Sequence, residues 1–378
     1  MRVLIVLGTR PEAVKLAPVV AALTAEPDTF DVRLCVTAQH RELLDPMLEG
    51  FGLVPDITLD ALRPGQSLAA LAGRLLSGLD DVIRDLAPEW IVVQGDTNTA
   101  MCGALAGHYL KRKVAHVEAG LRSHDRTQPF PEETNRRIAT LAADLHCAPT
   151  EAARAHLLHE GVADEAIVVT GNTVLDAVRG EIERLEASGR THPLVRELPR
   201  GTKLVVVTAH RRENVGEPLR NVASAIRSLA ERRAGSVHFA LPVHLNPAVR
   251  AIVETELAGT AHVTLLPPQN YADFTALLAA SHFVLTDSGG VQEEAPYLGK
   301  PVLVLRQTTE RPEGVAAGAA KLVGTAPHRI VRECLRLLDD DEAYRRMSEA
   351  PCPYGDGHAA ERIRDALAKS RTPVGAPS

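Results

Sequence analysis

The sequence predicts an α/β fold built on parallel sheets and arranged in two successive halves. Three observations predict it. Short runs such as residues 3–7 and 90–93 are apolar at every position, as strands covered by helices on both faces must be. Longer segments that can form helices alternate with these runs. Small polar clusters follow the runs, at the carboxyl ends of strands, where open α/β sheets bind ligands. A chain of 378 residues has room for two such domains. Its residues are 45% hydrophobic but only 3% aromatic, so the cores must be Ala, Val, Leu and Ile.

The net charge is -6, with Lys and Arg spread along the chain, which argues against a nucleic-acid partner. Five cysteines lie far apart with no CxxC pair, fitting a reducing cytoplasm rather than a disulfide framework. The opening apolar run is too short for a signal peptide, and no stretch approaches a membrane span. The expected location is cytoplasmic. None of the fifteen histidines shows HExxH or another metal-ligand spacing, so no metal is expected.

In the first half, residues 3–7 form a strand, followed by Gly8-Thr9-Arg10-Pro11-Glu12. Thr9 and Glu12 have capping-box spacing, and Pro11 suits a first helical turn. Arg10 and Lys15 fall near the start of that helix, where the dipole favours anions. They are either solvated or reach a phosphate-bearing ligand. Residues 32–37 are a second strand ending in Ala38-Gln39-His40-Arg41, and 67–86 a long amphipathic helix. The strand 90–93 leads to Gln94-Gly95-Asp96-Thr97, where Asp96 is either the N-cap of the next helix or a catalyst. Lys113–Val117 leads to Glu118, and Glu132-Glu133 opens a later helix. Carboxylates leaving one sheet edge can converge, and of the last pair Glu133 is expected at the surface. Leu145–Ala148 and residues 166–169 complete the half. Residues 181–200 are charged, Pro-containing and poorly periodic, and read as a linker or frayed helix end.

The second half repeats the pattern. Lys203–Thr208 ends in Ala209-His210-Arg211, Val237–Pro242 in Val243-His244, and Val263–Leu266 is followed by Gln269 and Phe274. His210 and His244 stand at strand ends inside polar clusters and rank above the other histidines. Phe283–Thr286 then breaks into Asp287-Ser288-Gly289-Gly290 ahead of a helix, with another strand at 302–305. Small residues at a helix N-terminus can hold a phosphate or diphosphate, and Glu294, one turn on, can accept from ribose hydroxyls. A final helix is expected at Ala359–Lys369, after the turn Pro353-Tyr354-Gly355-Asp356-Gly357.

Taken together, these clusters resemble the non-hydrolysing UDP-N-acetylglucosamine 2-epimerases from end to end. The match is carried by GTRPEAVKLAPV from Gly8, TAQHR from Thr37, GDT from Gly95, HVEAGLRS from His116 and PFPEETNRR from Pro129. It continues with TGNTVLD from Thr170, TAHRREN from Thr208, HLNP from His244, DSGGVQEEAPYLGKP from Asp287, TERPEG from Thr309 and PYGDG from Pro353. The resemblance implies a GT-B-type fold of two Rossmann-like domains with an interdomain active-site cleft. The expected division is 1–170 completed by helix 358–370, then 171–357, with a flexible tail at 371–378.

The resemblance further implies a homodimer that interconverts UDP-GlcNAc and UDP-ManNAc without a cofactor. UDP would be eliminated to leave a 2-acetamidoglucal, then re-added. Asp96, Glu118, Glu132 and His210 match the catalytic group. Arg10, Lys15, His244, Gln269, Phe274, Ser288, Gly289, Gly290, Glu294 and Arg311 match the UDP-sugar contacts. Gln39 and His40 match part of an allosteric region. Gln94 departs from the family, many of whose members have His there. The rival readings are a hydrolysing 2-epimerase, which releases ManNAc and UDP, and a GT-B glycosyltransferase using a UDP-sugar.

Overall fold

The computed structural model describes residues 1–37, 41–63 and 65–370. Gln39, His40, Pro64 and the expected tail 371–378 lie outside the described residues. The chain divides into two compact units: Met1–Ala177 with the segment from Gly355 onward, and Val178–Tyr354.

The first unit holds seven strands: β1 (Arg2–Leu7), β2 (Asp31–Val36), β3 (Ile57–Thr58), β4 (Trp90–Gln94), β5 (Lys113–Val117), β6 (Leu145–Ala148) and β7 (Ile167–Val169). All pairs are parallel, in the order β3-β2-β1-β4-β5-β6-β7. Crossover helices are α1 (Arg10–Thr24), α2 (Arg41–Gly50), α3 (Leu68–Leu86), α4 (Asn98–Tyr109), α5 (Glu132–Ala142) and α6 (Glu151–His159), and α7 (Thr173–Ser188) follows the last strand. Val3 through Leu7 are fully buried, as an unbroken apolar strand between two helical layers should be. Each buried aliphatic side chain there is worth roughly 1.5–3 kcal/mol.

The second unit begins within α7 and continues with α8 (Pro193–Glu197), β8 (Lys203–Thr208), α9 (Glu217–Arg232), β9 (Val237–Pro242), α10 (Pro247–Leu257) and β10 (Val263–Leu266). Then come α11 (Tyr271–Ala280), β11 (Phe283–Thr286), α12 (Gly289–Tyr297), β12 (Val302–Val304), α13 (Pro312–Ala316), β13 (Ala320–Leu322), α14 (Pro327–Asp339) and α15 (Asp341–Ser348). Its six strands are also all parallel, in the order β10-β9-β8-β11-β12-β13. One core lies under α9, α10 and α14, and another on the opposite face under α11 and α12.

The last helix, α16 (Ala359–Lys369), packs against α1. No side chain of its own caps it. The buried Asp176 of α7 does so instead, accepting from the N–H groups of Ala359 at 3.1 Å and Ala360 at 2.8 Å.

Several expectations change. Residues 181–188 are the second half of α7 and 193–197 are helical, so the stretch read as a linker is mostly ordered secondary structure. Burial of Leu185 and Leu194 supplies what the weak periodicity did not advertise. Thr9 is the N-cap of α1, but its side chain makes no cap hydrogen bond. Strand β3 has two residues, too few to show a period. Among the described residues no helix is long and apolar enough to cross a membrane.

Helix α4 approaches the sheet through glycines. A Cβ on Gly107 would lie 2.7 Å from both Ile91 Cδ1 and Val114 Cγ2. Gly107→Ala should therefore destabilise the protein by roughly 1–3 kcal/mol through overpacking, read as a lowered urea midpoint.

Candidate active site

In an open parallel sheet, a crevice forms where neighbouring strands send their crossovers to opposite sides. The strand order puts that reversal between β1 and β4 in the first unit, and between β8 and β11 in the second. Arg10 and Lys15 follow β1, Asp96 follows β4 and Glu118 follows β5. In the second unit His210 follows β8, His244 follows β9, Gln269 and Phe274 follow β10, and Ser288 to Glu294 follow β11. Arg311 follows β12.

In the first unit, Asp96 is not the cap of α4. Thr97 is, its hydroxyl accepting from Ala100 N–H at 3.0 Å. Asp96 is left to pair through Oδ2 with the guanidinium of Arg136, while its backbone carbonyl accepts from Asn135 at 3.0 Å. The turn before it is fixed twice. Gly95 takes a φ of 71°, and its carbonyl meets the buried His116 Nε2 at 2.7 Å. Burial pushes the His116 imidazole down to about 4, so it stays neutral and donates from Nε2.

Glu118 has a φ of 62°, a left-handed conformation that non-glycine residues seldom enter and that clusters at functional sites. Its Oε2 pairs with the Lys15 ammonium and accepts from Gln94 Nε2 at 2.7 Å. Gln94 thus contacts a candidate catalytic carboxylate. Glu132 opens α5, and its Oε2 is buried without a hydrogen-bond partner. Glu133, expected at the surface, is instead fully buried. It accepts from Ser123 N–H at 2.9 Å and pairs with Arg136 at 3.3 Å and Arg137 at 3.1 Å. Two guanidinium groups and a backbone N–H, from three directions, explain the burial.

Glu12, read above only as a capping residue, is 1% exposed. Its Oε2 accepts from Gly8 N–H at 3.0 Å and its Oε1 from the Thr97 hydroxyl at 2.7 Å. Burial raises its carboxyl to about 7, outweighing hydrogen bonds that favour the charged form.

In the second unit, Ser288 is the N-cap of α12, and its side chain makes no cap hydrogen bond. The first N–H groups of a helix have no acceptor within it, which makes this end an anion site. A Cβ on Gly290 would meet nothing within 4 Å, so the approach is open. Asp287, just before it, is fully buried and was not singled out from sequence. It accepts from His210 N–H at 2.9 Å, Arg211 N–H at 2.9 Å and Asn214 Nδ2 at 2.9 Å. One carboxylate therefore folds the loop after β8 against the start of α12.

The His210 ring is one-third exposed and stacks on His244, with ring centres 5.0 Å apart and planes 8° from parallel. Burial holds the His210 imidazole below its ordinary range, while Asp287 acts in the opposite direction. His244 Nδ1 accepts from Asn246 N–H at 3.0 Å, which puts the proton of its neutral form on Nε2. Gln269 is oriented at both ends, donating to Pro267 O at 2.6 Å and facing His192 Nε2 at 3.1 Å. His192, in the stretch read as a linker, is a supporting residue that sequence reasoning missed. Phe274 packs against the core, Glu294 is buried, and Arg311 pairs with the buried Glu293. Tyr354 of the PYGDG turn holds that region, accepting from Gly314 N–H at 3.0 Å and donating to Arg311 O at 3.3 Å. No cluster of metal-ligating side chains occurs among the described residues.

A model of the UDP-N-acetylglucosamine 2-epimerase family matches residues 21–368. The UDP-N-acetylglucosamine 2-epimerase of Salmonella typhimurium is 46% identical over 375 residues, covering 98% of this chain and 99% of that protein. The Bacillus subtilis protein of the same name is 46% identical over 367 residues, covering 97% and 95%. The structure of UDP-GlcNAc 2-epimerase from Neisseria meningitidis bound to UDP-GlcNAc has a TM-score of 0.92 at 42% identity, covering 98% of this chain and all of that one. The chain belongs to the UDP-N-acetylglucosamine 2-epimerase family, and its fold is the GT-B-like α/β fold of those structures.

Asp287→Asn replaces one of two acceptor oxygens with a donor facing donors. It should cost roughly 1–3 kcal/mol or more, measured by denaturant unfolding. Glu12 binds its proton more tightly folded than unfolded. Its contribution to stability is complete below about 4.5 and is lost as pH rises to about 7. Across that window the wild type should lose roughly 3 kcal/mol relative to Glu12→Gln, with no further change above it, measured by unfolding at stepped pH.

Proposed function

We propose that this member of the UDP-N-acetylglucosamine 2-epimerase family inverts C2 of UDP-GlcNAc without hydrolysis, through elimination and re-addition of UDP. The observation that carries the reading is the near full-length match to a relative whose structure holds UDP-GlcNAc. The chemistry of the loops is consistent with it.

The C2 hydrogen of the sugar has no adjacent carbonyl and is not acidic in the ground state. Breaking the C1–O bond sends its electron pair to the departing UDP and leaves C1 cationic, which acidifies that hydrogen. A carboxylate then takes the C2 proton, and the C–H electrons form the C1=C2 bond of 2-acetamidoglucal. In the return step an acid protonates C2 from the other face, and a UDP oxygen closes on C1. No atom is lost, and no oxidant or water enters.

Asp96, Glu118 and Glu132 are the carboxyl groups assigned to proton removal and return. Arg10, the N–H groups at the start of α12 and His210 are assigned to the diphosphate, which gains charge as it leaves. Gln269, Phe274, Glu294, His244 and Arg311 are assigned to holding the rest of the UDP-sugar. A chain of this family that released the glucal to water would fail as an epimerase, so both fragments must be retained until C1 re-forms its bond.

Incubating the protein with UDP-GlcNAc in D2O tests the reading. Deuterium should enter C2 while proton NMR shows only UDP-linked sugars, and Asp96→Asn should slow this about 100- to 10,000-fold. No exchange at C2 would overturn the proposal. Free ManNAc with UDP would show the hydrolysing reaction instead.

A further inference from the structure

We propose that Glu12 is a positioning residue, whose buried carboxylate clasps the turn bearing Arg10 to the turn bearing Asp96. The proposal rests on the epimerase reading for its kinetic consequences, but the clasp itself rests on geometry in the first unit.

The two turns leave β1 and β4, the neighbouring strands at the reversal of the sheet. Glu12 reaches both. Oε2 accepts from Gly8 N–H, two residues before Arg10, and Oε1 accepts from the hydroxyl of Thr97, the residue after Asp96. The direction of the second bond is set by the cap. Thr97 Oγ1 already accepts from Ala100 N–H, so its own hydrogen is available to Glu12. Gly8 N–H is an obligatory donor. Gly8 N–H and the Thr97 hydroxyl therefore face the two carboxylate oxygens, with Thr9 at the start of the same helix adding to them, and an amide of the same shape cannot accept at both positions.

The rest of the turn leaves no slack. A Cβ on Gly8 would lie 2.3 Å from Thr37 Oγ1 and 2.4 Å from Thr99 Oγ1, and those hydroxyls bond each other at 2.9 Å. Gly8 is thus boxed by the residue after β2 and by α4 on one side and tied to Glu12 on the other. A capping residue need serve only its own helix. Glu12 is instead almost wholly buried, at a desolvation cost large enough to lift its carboxyl to about 7, and one of its bonds goes to a different element. That expense is explained if the spacing between Arg10 and Asp96 matters.

A double-mutant cycle tests the clasp. Glu12→Gln and Thr97→Val should each lower kcat for UDP-GlcNAc epimerisation about 10- to 100-fold, because misplacing reacting groups by up to about 1 Å costs that much, with KM moving less than about threefold. The double variant should be no slower than the slower single one, since both break the same link. Thr97→Ser keeps the hydroxyl and should recover kcat to within about threefold of wild type. Circular dichroism and unfolding temperature confirm that each variant is folded. Additive losses, or a folded Glu12→Gln protein with kcat within threefold of wild type, would overturn the proposal.

Hydrogen–deuterium exchange gives a readout that does not need turnover. Glu12→Gln should raise exchange in both backbone segments, 8–10 and 95–98. Loosening of only one would show a local cap and refute the clasp. If the wild type itself never exchanges deuterium at C2, the functional reading fails, and exchange of these two segments alone decides whether the clasp exists.

Discussion

Parallel pairing is the constraint on which the rest of the molecule depends. In a parallel sheet every strand points the same way, so every carboxyl end delivers its loop to one edge. All strand pairs in both units are parallel, and every candidate residue within the described parts leaves such an edge or the helix that follows it. The edge alone would give only a row of turns. Reversal of the strand order opens one place in that row where loops on either side diverge. The residues with the most unusual surroundings lie next to the reversal: Glu12, Asp96 and the neighbouring Glu118 in one unit, His210 and Asp287 in the other.

A loop that must hold a charged ligand cannot be held by apolar packing alone, because its backbone N–H groups need acceptors. Here buried carboxylates supply them. Asp287 gathers two backbone N–H groups and an amide, Glu133 gathers one N–H and two guanidinium groups, and Asp176 caps a helix from another element. A carboxylate has about four acceptor directions, so one side chain can fix several turns at once. The desolvation cost is large, and the hydrogen bonds offset it only when the donors are already in place. Such residues therefore specify a single loop geometry more than they add stability.

The strands were legible because their burial is written into the residue types. Lys113–Val117, Leu145–Ala148, Lys203–Thr208, Val237–Pro242, Val263–Leu266 and Phe283–Thr286 were read with their observed bounds. The loops carrying the motifs were legible for a similar reason, since polar clusters interrupt apolar runs abruptly. Partnerships were not. Whether Asp96 or Thr97 caps α4 depends on which oxygen meets Ala100 N–H, one residue in register. Glu132 and Glu133 are adjacent and chemically alike, and only the helix phase puts Glu133 against Arg136, Arg137 and Ser123. The importance of Asp287 and His192 comes from hydrogen-bond partners 73 to 77 residues away in sequence, which no local pattern reveals.

The proposed reaction, which removes a proton from one face of a carbon and returns one to the other, needs acid–base groups that differ, although the side chains available are alike. Environment has to create the difference. Asp96 faces a guanidinium, Glu118 faces an ammonium and the amide of Gln94, and one oxygen of Glu132 is buried with no partner. Gln94 donates a hydrogen bond to Glu118 but carries no titratable proton, so it orients that carboxylate and, in the proposed reaction, would not compete for a proton. Arg136 binds Asp96 with one nitrogen and Glu133 with the other, which ties the position of Asp96 to the helix that begins at Glu132. The carboxyl groups are thereby held in unlike surroundings, and a change at Arg136 would disturb Asp96 together with the helix that begins at Glu132.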